Sequence, residues 1–134
     1  MKTNKLKASE LRIGNYVNVP NYKQCPFRID AFEHCSEKFI KVAQEVKLNG
    51  FEVHPLTWYG ADLEPIPLTE EWLFKFGFEF TNGYGFKIFG NWLQKEDDVY
   101  FYNVNGNFIQ IDYVHQLQNL YFALTGKELK QQEQ

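Results

Sequence analysis

Cysteine is scarce in this sequence. The two present, Cys25 and Cys35, exclude the disulfide framework that staples small secreted domains. No Cys-x2-Cys pair occurs, and His34, adjacent to Cys35, would point to the opposite face of a strand, so a zinc site is not expected. Methionine occurs once, as Met1, which removes the adaptable Met-lined groove as a binding device. Long apolar runs are also missing. The longest spans Leu120 to Leu124, far short of the ~20 residues of a membrane helix. The basic start, Met1 to Lys7, leads into no apolar segment, so a signal peptide is not expected and the thiols are read as free in a reducing cytoplasm. Asn82-Gly83-Tyr84-Gly85-Phe86 has phosphate-loop glycines but feeds an aromatic strand, and such a loop must feed a helix N-terminus. The acidic run Glu96-Asp97-Asp98 lacks the alternating ligands of a calcium loop and reads as a solvated turn.

What is abundant is the aromatic ring. Three Trp, eight Tyr and thirteen Phe make 18% of the 134 residues, and rings favour the pleated, half-buried surface of a strand. With 44% hydrophobic and 23% charged residues, the chain has the composition of a folded body of one domain's size. Net charge is −3, which argues against general phosphate neutralisation. The charge is uneven, however. Lys2, Lys5, Lys7, Arg12, Lys23 and Arg28 face Glu10 alone in residues 1–28, whereas residues 67–134 carry five Lys against nine Asp or Glu.

These features predict an α+β protein with two lobes, residues 1–66 and 67–134, or one compact domain overall. The first is a bent sheet or partial barrel carrying the basic arm. It has strands near Tyr16–Val19, Phe27–Phe32, Phe39–Val42 and Phe51–His54, after one helical turn over Ser9–Ile13. The prolines of Asp62 to Pro67 keep the junction extended. Thr69 then caps a short helix, with Glu70 and Glu71 at its positive end, a staple between Leu68 and Leu73, and a stop at Gly77. An antiparallel β-meander follows over residues 78–111, turning at Asn82-Gly83, Gly90-Asn91, Glu96–Asp98 and Asn105-Gly106. The last helix starts at an Asp112 cap and ends at Gly126, with Val114, Leu117, Leu120 or Tyr121, and Leu124 forming a stripe that packs on the meander. The tail beyond Gly126 is expected to fray.

Opposite that stripe, His115, Gln118, Asn119 and Phe122 share one helix face, whose imidazole, amides and ring suit recognition of a protein partner. Asp112 stands near His115 and would favour its charged form. The exposed rings of the meander are the other candidate surface. A nucleic-acid alternative uses Lys2, Lys5, Lys7 and Arg12 for phosphates and meander rings for stacking. A third alternative is an enzyme built on His115 or Cys35, although nothing in the sequence positions a base or an oxyanion hole beside either. No cofactor or metal is called for.

Four segments carry a resemblance: Leu11-Arg12-Ile13-Gly14-Asn15-Tyr16-Val17, Pro65 to Leu73, Gly77-Phe78, and His115 to Gly126. In these the chain resembles short uncharacterised proteins found repeatedly in gut Bacteroidetes genomes, often in prophage or mobile-element neighbourhoods. The resemblance implies a bacterial, cytoplasmic or phage-linked accessory protein and supplies no catalytic residues.

Overall fold

The computed structural model describes residues 11–18, 27–32, 40–43, 46–48, 51–53, 57–60, 63–82 and 85–132. Two compact units divide the chain, Met1–Ile66 and Pro67–Gln134, and the fold is α+β.

In the first unit, β1 (Tyr16–Val17), β2 (Phe27–Phe32), β3 (Ile40–Ala43) and β6 (Thr57–Gly60) form an antiparallel sheet in the order β1-β2-β3-β6. The hairpin β4 (Val46–Leu48) and β5 (Phe51–Val53) is inserted between β3 and β6. Leu11, Val17, Phe27, Ile29 and Leu63 make its core. The described part of the expected first helical turn is instead a tight turn, closed by Asn15 N–H donating to the Arg12 carbonyl at 3.1 Å. Asn15 is itself buried, and its side-chain oxygen accepts from Arg12 N–H at 2.6 Å, so a short polar side chain competes successfully with the helix. Beyond β1 the chain pairs again, where Asn18 and Glu64 exchange two backbone bonds at 2.9 Å.

The second unit opens with α1 (Glu70–Lys75). Thr69 Oγ1 accepts from Trp72 N–H at 3.4 Å, and Leu68 and Leu73 are both buried. A helix this short has little stability of its own, so Trp72, Leu73 and Phe76 must hold it by burial. The meander follows as β7 (Glu79–Thr81), β8 (Gly85–Ile88), β9 (Asn91–Glu96), β10 (Val99–Val104) and β11 (Asn107–Ile111), side by side in chain order with β7 and β11 at the edges.

The register sorts side chains by face. Phe80, Phe86, Leu93, Tyr102 and Ile109 align across one face; Lys87, Trp92, Asn103 and Phe108 align across the other. Both helices lie over the first face. Phe74 of α1 meets Phe86 edge-on at 5.8 Å, and Glu70 accepts from Lys95 at 3.0 Å. Tyr121 of α2 (Val114–Thr125) is close enough to Tyr102 to disfavour its ionised form.

Two expectations about α2 are corrected. Its N-cap is Tyr113, one residue later than Asp112, because Gln116 Oε1 reaches back to accept from the N–H of both Asp112 (2.9 Å) and Tyr113 (3.2 Å). The following segment does not fray over residues 127–132. Leu129 is buried, and Gln132 N–H donates to the Lys75 carbonyl at 2.7 Å, which ties the tail to α1. No helix of the described residues is long and apolar enough to cross a membrane.

Candidate functional site

The polar face expected on α2 is taken inward. His115 is 3% exposed and Gln118 is fully buried, Asn119 is half-buried, and of the four only Phe122 is exposed, at 38%. The cause is the returning tail: Gln118 Nε2 donates to the Leu129 carbonyl at 2.9 Å, so the amide serves an internal bond. The His115 ring stacks on Tyr113 at 5.9 Å. Asp112, expected to act on His115, accepts from Gln110 Nε2 at 2.8 Å. These four residues therefore do not form a shared solvent-facing surface. Their spacing placed them together correctly, but spacing alone does not tell a wet polar face from one satisfied inside.

Of the nucleic-acid candidates, Arg12 is half-buried beside the tight turn, and Lys2, Lys5 and Lys7 lie outside the described residues, as do Cys25, His34, Cys35 and His54. Among the described residues, no three His, Cys, Asp or Glu side chains gather as metal ligands.

A different surface emerges at the β11 edge. Asn105 (φ 52°) and Gly106 (φ 87°) form the two-residue turn into β11, with Gly106 N–H donating to Asn103 Oδ1 at 2.8 Å. Val104 and Asn107 face each other across it, which makes them the hydrogen-bonded pair that closes the hairpin. By alternation the ladder to β10 uses Asn107, Ile109 and Ile111, and the N–H and C=O of Phe108 and Gln110 point outward. β11 ends the sheet, so among the described residues no strand takes up those groups.

Cover begins only at the next residue, where the Asp112 carbonyl accepts from Leu68 N–H at 3.0 Å and Pro67 bridges to Tyr113. The bare stretch carries apolar side chains on both faces, Phe108 at 53% and Ile109 at 41% exposed. It holds no Lys, Glu, Asp or Pro. Native edges are ordinarily guarded by such residues, by bulges or by covering segments.

At the same end of the sheet, Phe89 leads the β8–β9 turn with φ 46° and 85% exposure. An L-residue there bears about 1–2 kcal/mol of strain, and a bulky one is an outlier. Phe89→Asn is expected to raise stability by about 1 kcal/mol, because Asn tolerates this region and the change removes an exposed ring. A thermal midpoint several degrees above that of the parent checks it, and a lower midpoint contradicts it. The fold thus keeps, at this turn, a residue that stability alone disfavours.

The helix-free face adjoins this edge. Trp92 and Phe101 are half-buried there beside Phe108, and Lys87 Nζ stands 5.3 Å from the Trp92 ring centre. No protein-family model, curated protein or solved structure matches this chain.

Proposed function

We propose that this chain is a non-enzymatic interaction adaptor that takes an extended polypeptide segment onto the β11 edge. One observation carries the reading: an uncharged, unguarded edge strand whose outward backbone groups at Phe108 and Gln110 stand beside the exposed side chains of Phe108 and Ile109. Such an edge supplies main-chain hydrogen bonds for affinity and alternate side chains for selectivity. The resemblance to proteins of prophage and mobile-element neighbourhoods supports a bacterial, cytoplasmic accessory role.

The test separates the edge from the fold. Phe108→Pro removes an outward N–H that the ladder does not use, and an edge strand tolerates proline at such a position. The tagged full chain and this variant are purified from the native host, with far-ultraviolet circular dichroism confirming that both are folded. A co-eluting polypeptide, an untagged copy of the chain included, is expected to fall at least about tenfold with the variant. Equal capture by both overturns the reading.

A second reading has its own support in the ring-bearing, helix-free face. Trp92, Phe101 and Phe108 could stack on nucleobases, with Lys87 near a phosphate. The excess of nine acids over five lysines in residues 67–134 opposes it. Single-stranded DNA binding that weakens steeply between about 50 and 200 mM salt and is lost in Trp92→Ala would favour this reading over the first.

A further inference from the structure

We infer that residues 127–132 are a displaceable strap, seated in a groove between α1 and α2 that accepts in their place an extended peptide segment of a protein partner, anchored by one leucine-sized side chain. The site is separate from the β11 edge and rests on different observations.

The strap itself displays the chemistry that the groove recognises. Gln118 Nε2, fully buried on α2, donates to the Leu129 carbonyl at 2.9 Å. Three residues on, Gln132 N–H donates to the Lys75 carbonyl at 2.7 Å, at the C-terminal end of α1. A carbonyl in that position has no donor within its own helix, so the strap supplies one. The Gln132 side chain lies over Gly77, where an added Cβ would come within 3.2 Å of it. The Leu129 side chain is buried. Both hydrogen bonds read the main chain of the strap, and the side chain that is read is that of Leu129. An extended segment from elsewhere, with a leucine-sized group at that place, satisfies the same donor, acceptor and apolar seat.

Little holds the strap down. Lys127, Glu128, Lys130 and Gln132 are exposed and Gln131 is half-buried, which leaves Leu129 as the buried anchor. A segment with one buried side chain opens far more readily than a sheet packed under two helices. The strap leaves α2 at Gly126, whose left-handed φ of 74° turns the chain off the helix. Lifting the strap frees the Gln118 amide, the Lys75 carbonyl and the seat of Leu129 together. A partner's segment then restores all three. In place, the strap competes at an effective concentration of about a millimolar or more, so entry is limited by the fraction of molecules in which it is open.

The probe is a fluorescein-labelled peptide of the strap's own sequence, Gly126 to Gln132, alongside the same peptide with Leu129→Asp. Fluorescence anisotropy compares binding to the full-length parent and to the full-length Leu129→Asp variant, whose own strap no longer fits its seat. Far-ultraviolet circular dichroism confirms that both proteins are folded. The unsubstituted peptide is expected to bind the variant at least about tenfold more tightly than the parent, and the substituted peptide to bind neither. Hydrogen exchange on the parent, followed by nuclear magnetic resonance, needs no variant. Unlabelled strap peptide in excess should speed exchange of the parent's own Gln132 N–H at least about threefold, because it keeps the strap displaced. Equal binding to parent and variant, binding to neither, or exchange unmoved by the peptide overturns the inference. A variant that leaves the peptide unbound but forms a dimer with the parent in sedimentation overturns it in favour of strap exchange between copies.

Discussion

Gly85→Ala is expected to cost the second unit about 3–5 kcal/mol, enough to unfold it at modest urea concentrations. Gly85 begins β8 with φ 96°, where an alanine bears about 1–2 kcal/mol of strain before any contact is considered. A Cβ there would lie 2.5 Å from the Leu93 carbonyl oxygen and 3.3 Å from Gln94 Cα. Both are backbone atoms of β9, so they can retreat only by opening the ladder that pairs Phe86 with Leu93 and Lys87 with Trp92. Phe86 and Leu93 are core residues, and the opening would spread into the packed face. Gly90 supplies the control. Its φ is 84°, but nothing lies within 4 Å of its Cβ position, so Gly90→Ala should show the strain alone. Urea midpoints for the two variants should differ by more than twofold in their displacement from the parent. Equal displacements would mean that the close approach of β8 to β9 contributes nothing.

Neither the close approach at Gly85 nor its positive φ is visible in the sequence, where the residue reads as part of a hairpin signal. What was legible is what local chemistry decides. Thr69, the two glutamates and the Leu68–Leu73 staple specify α1 within a few residues, and Asn105-Gly106 specifies its turn because both central φ values must be positive. The strands Phe27–Phe32, Val99–Val104 and Asn107–Ile111 follow from aromatic and β-branched runs between breaks. β4 and β6 escaped because Val46-Lys47-Leu48 and Thr57–Gly60 are too short for a period-two pattern to stand out. The site was less legible still. Whether Gln118 faces water depends on Leu129, a lone leucine in a polar tail, returning to α2, and no local signal announces that. The exposed rings of the meander were legible as a surface. Which strand edge stays open was not, because among the described residues the backbone bonding of Pro67 and Leu68 reaches only Asp112 and Tyr113 and none meets Phe108 or Gln110.

The second large effect concerns alkaline pH. Tyr102 is buried at the centre of the packed face, and its hydroxyl donates to Asn91 Oδ1 at 3.0 Å. Burial, with a smaller contribution from Tyr121, pushes its pKa up to about 12, against an ordinary value near 10. Raised in the folded state, this pKa makes a contribution that is fully present below about pH 10, declines as the unfolded chain ionises first, and is lost as pH rises through about 12. At about 1.4 kcal/mol for each pH unit across that window, the loss is of order 2–3 kcal/mol. Tyr100 acts in the same direction, its pKa raised chiefly by burial. So does Lys95, raised chiefly by its hydrogen bond to Glu70, and Lys95→Met removes that contribution for comparison. Urea midpoints should hold near pH 9 and fall from about pH 10 to about pH 12, and the last tyrosinate absorbance should appear together with unfolding. Tyr102→Phe should flatten most of the slope while starting from a lower stability, since Asn91 loses its donor. A parent whose stability holds level across this window, or a phenylalanine variant that declines as steeply, would show that the Tyr102 hydroxyl ionises as freely in the folded sheet as in the open chain.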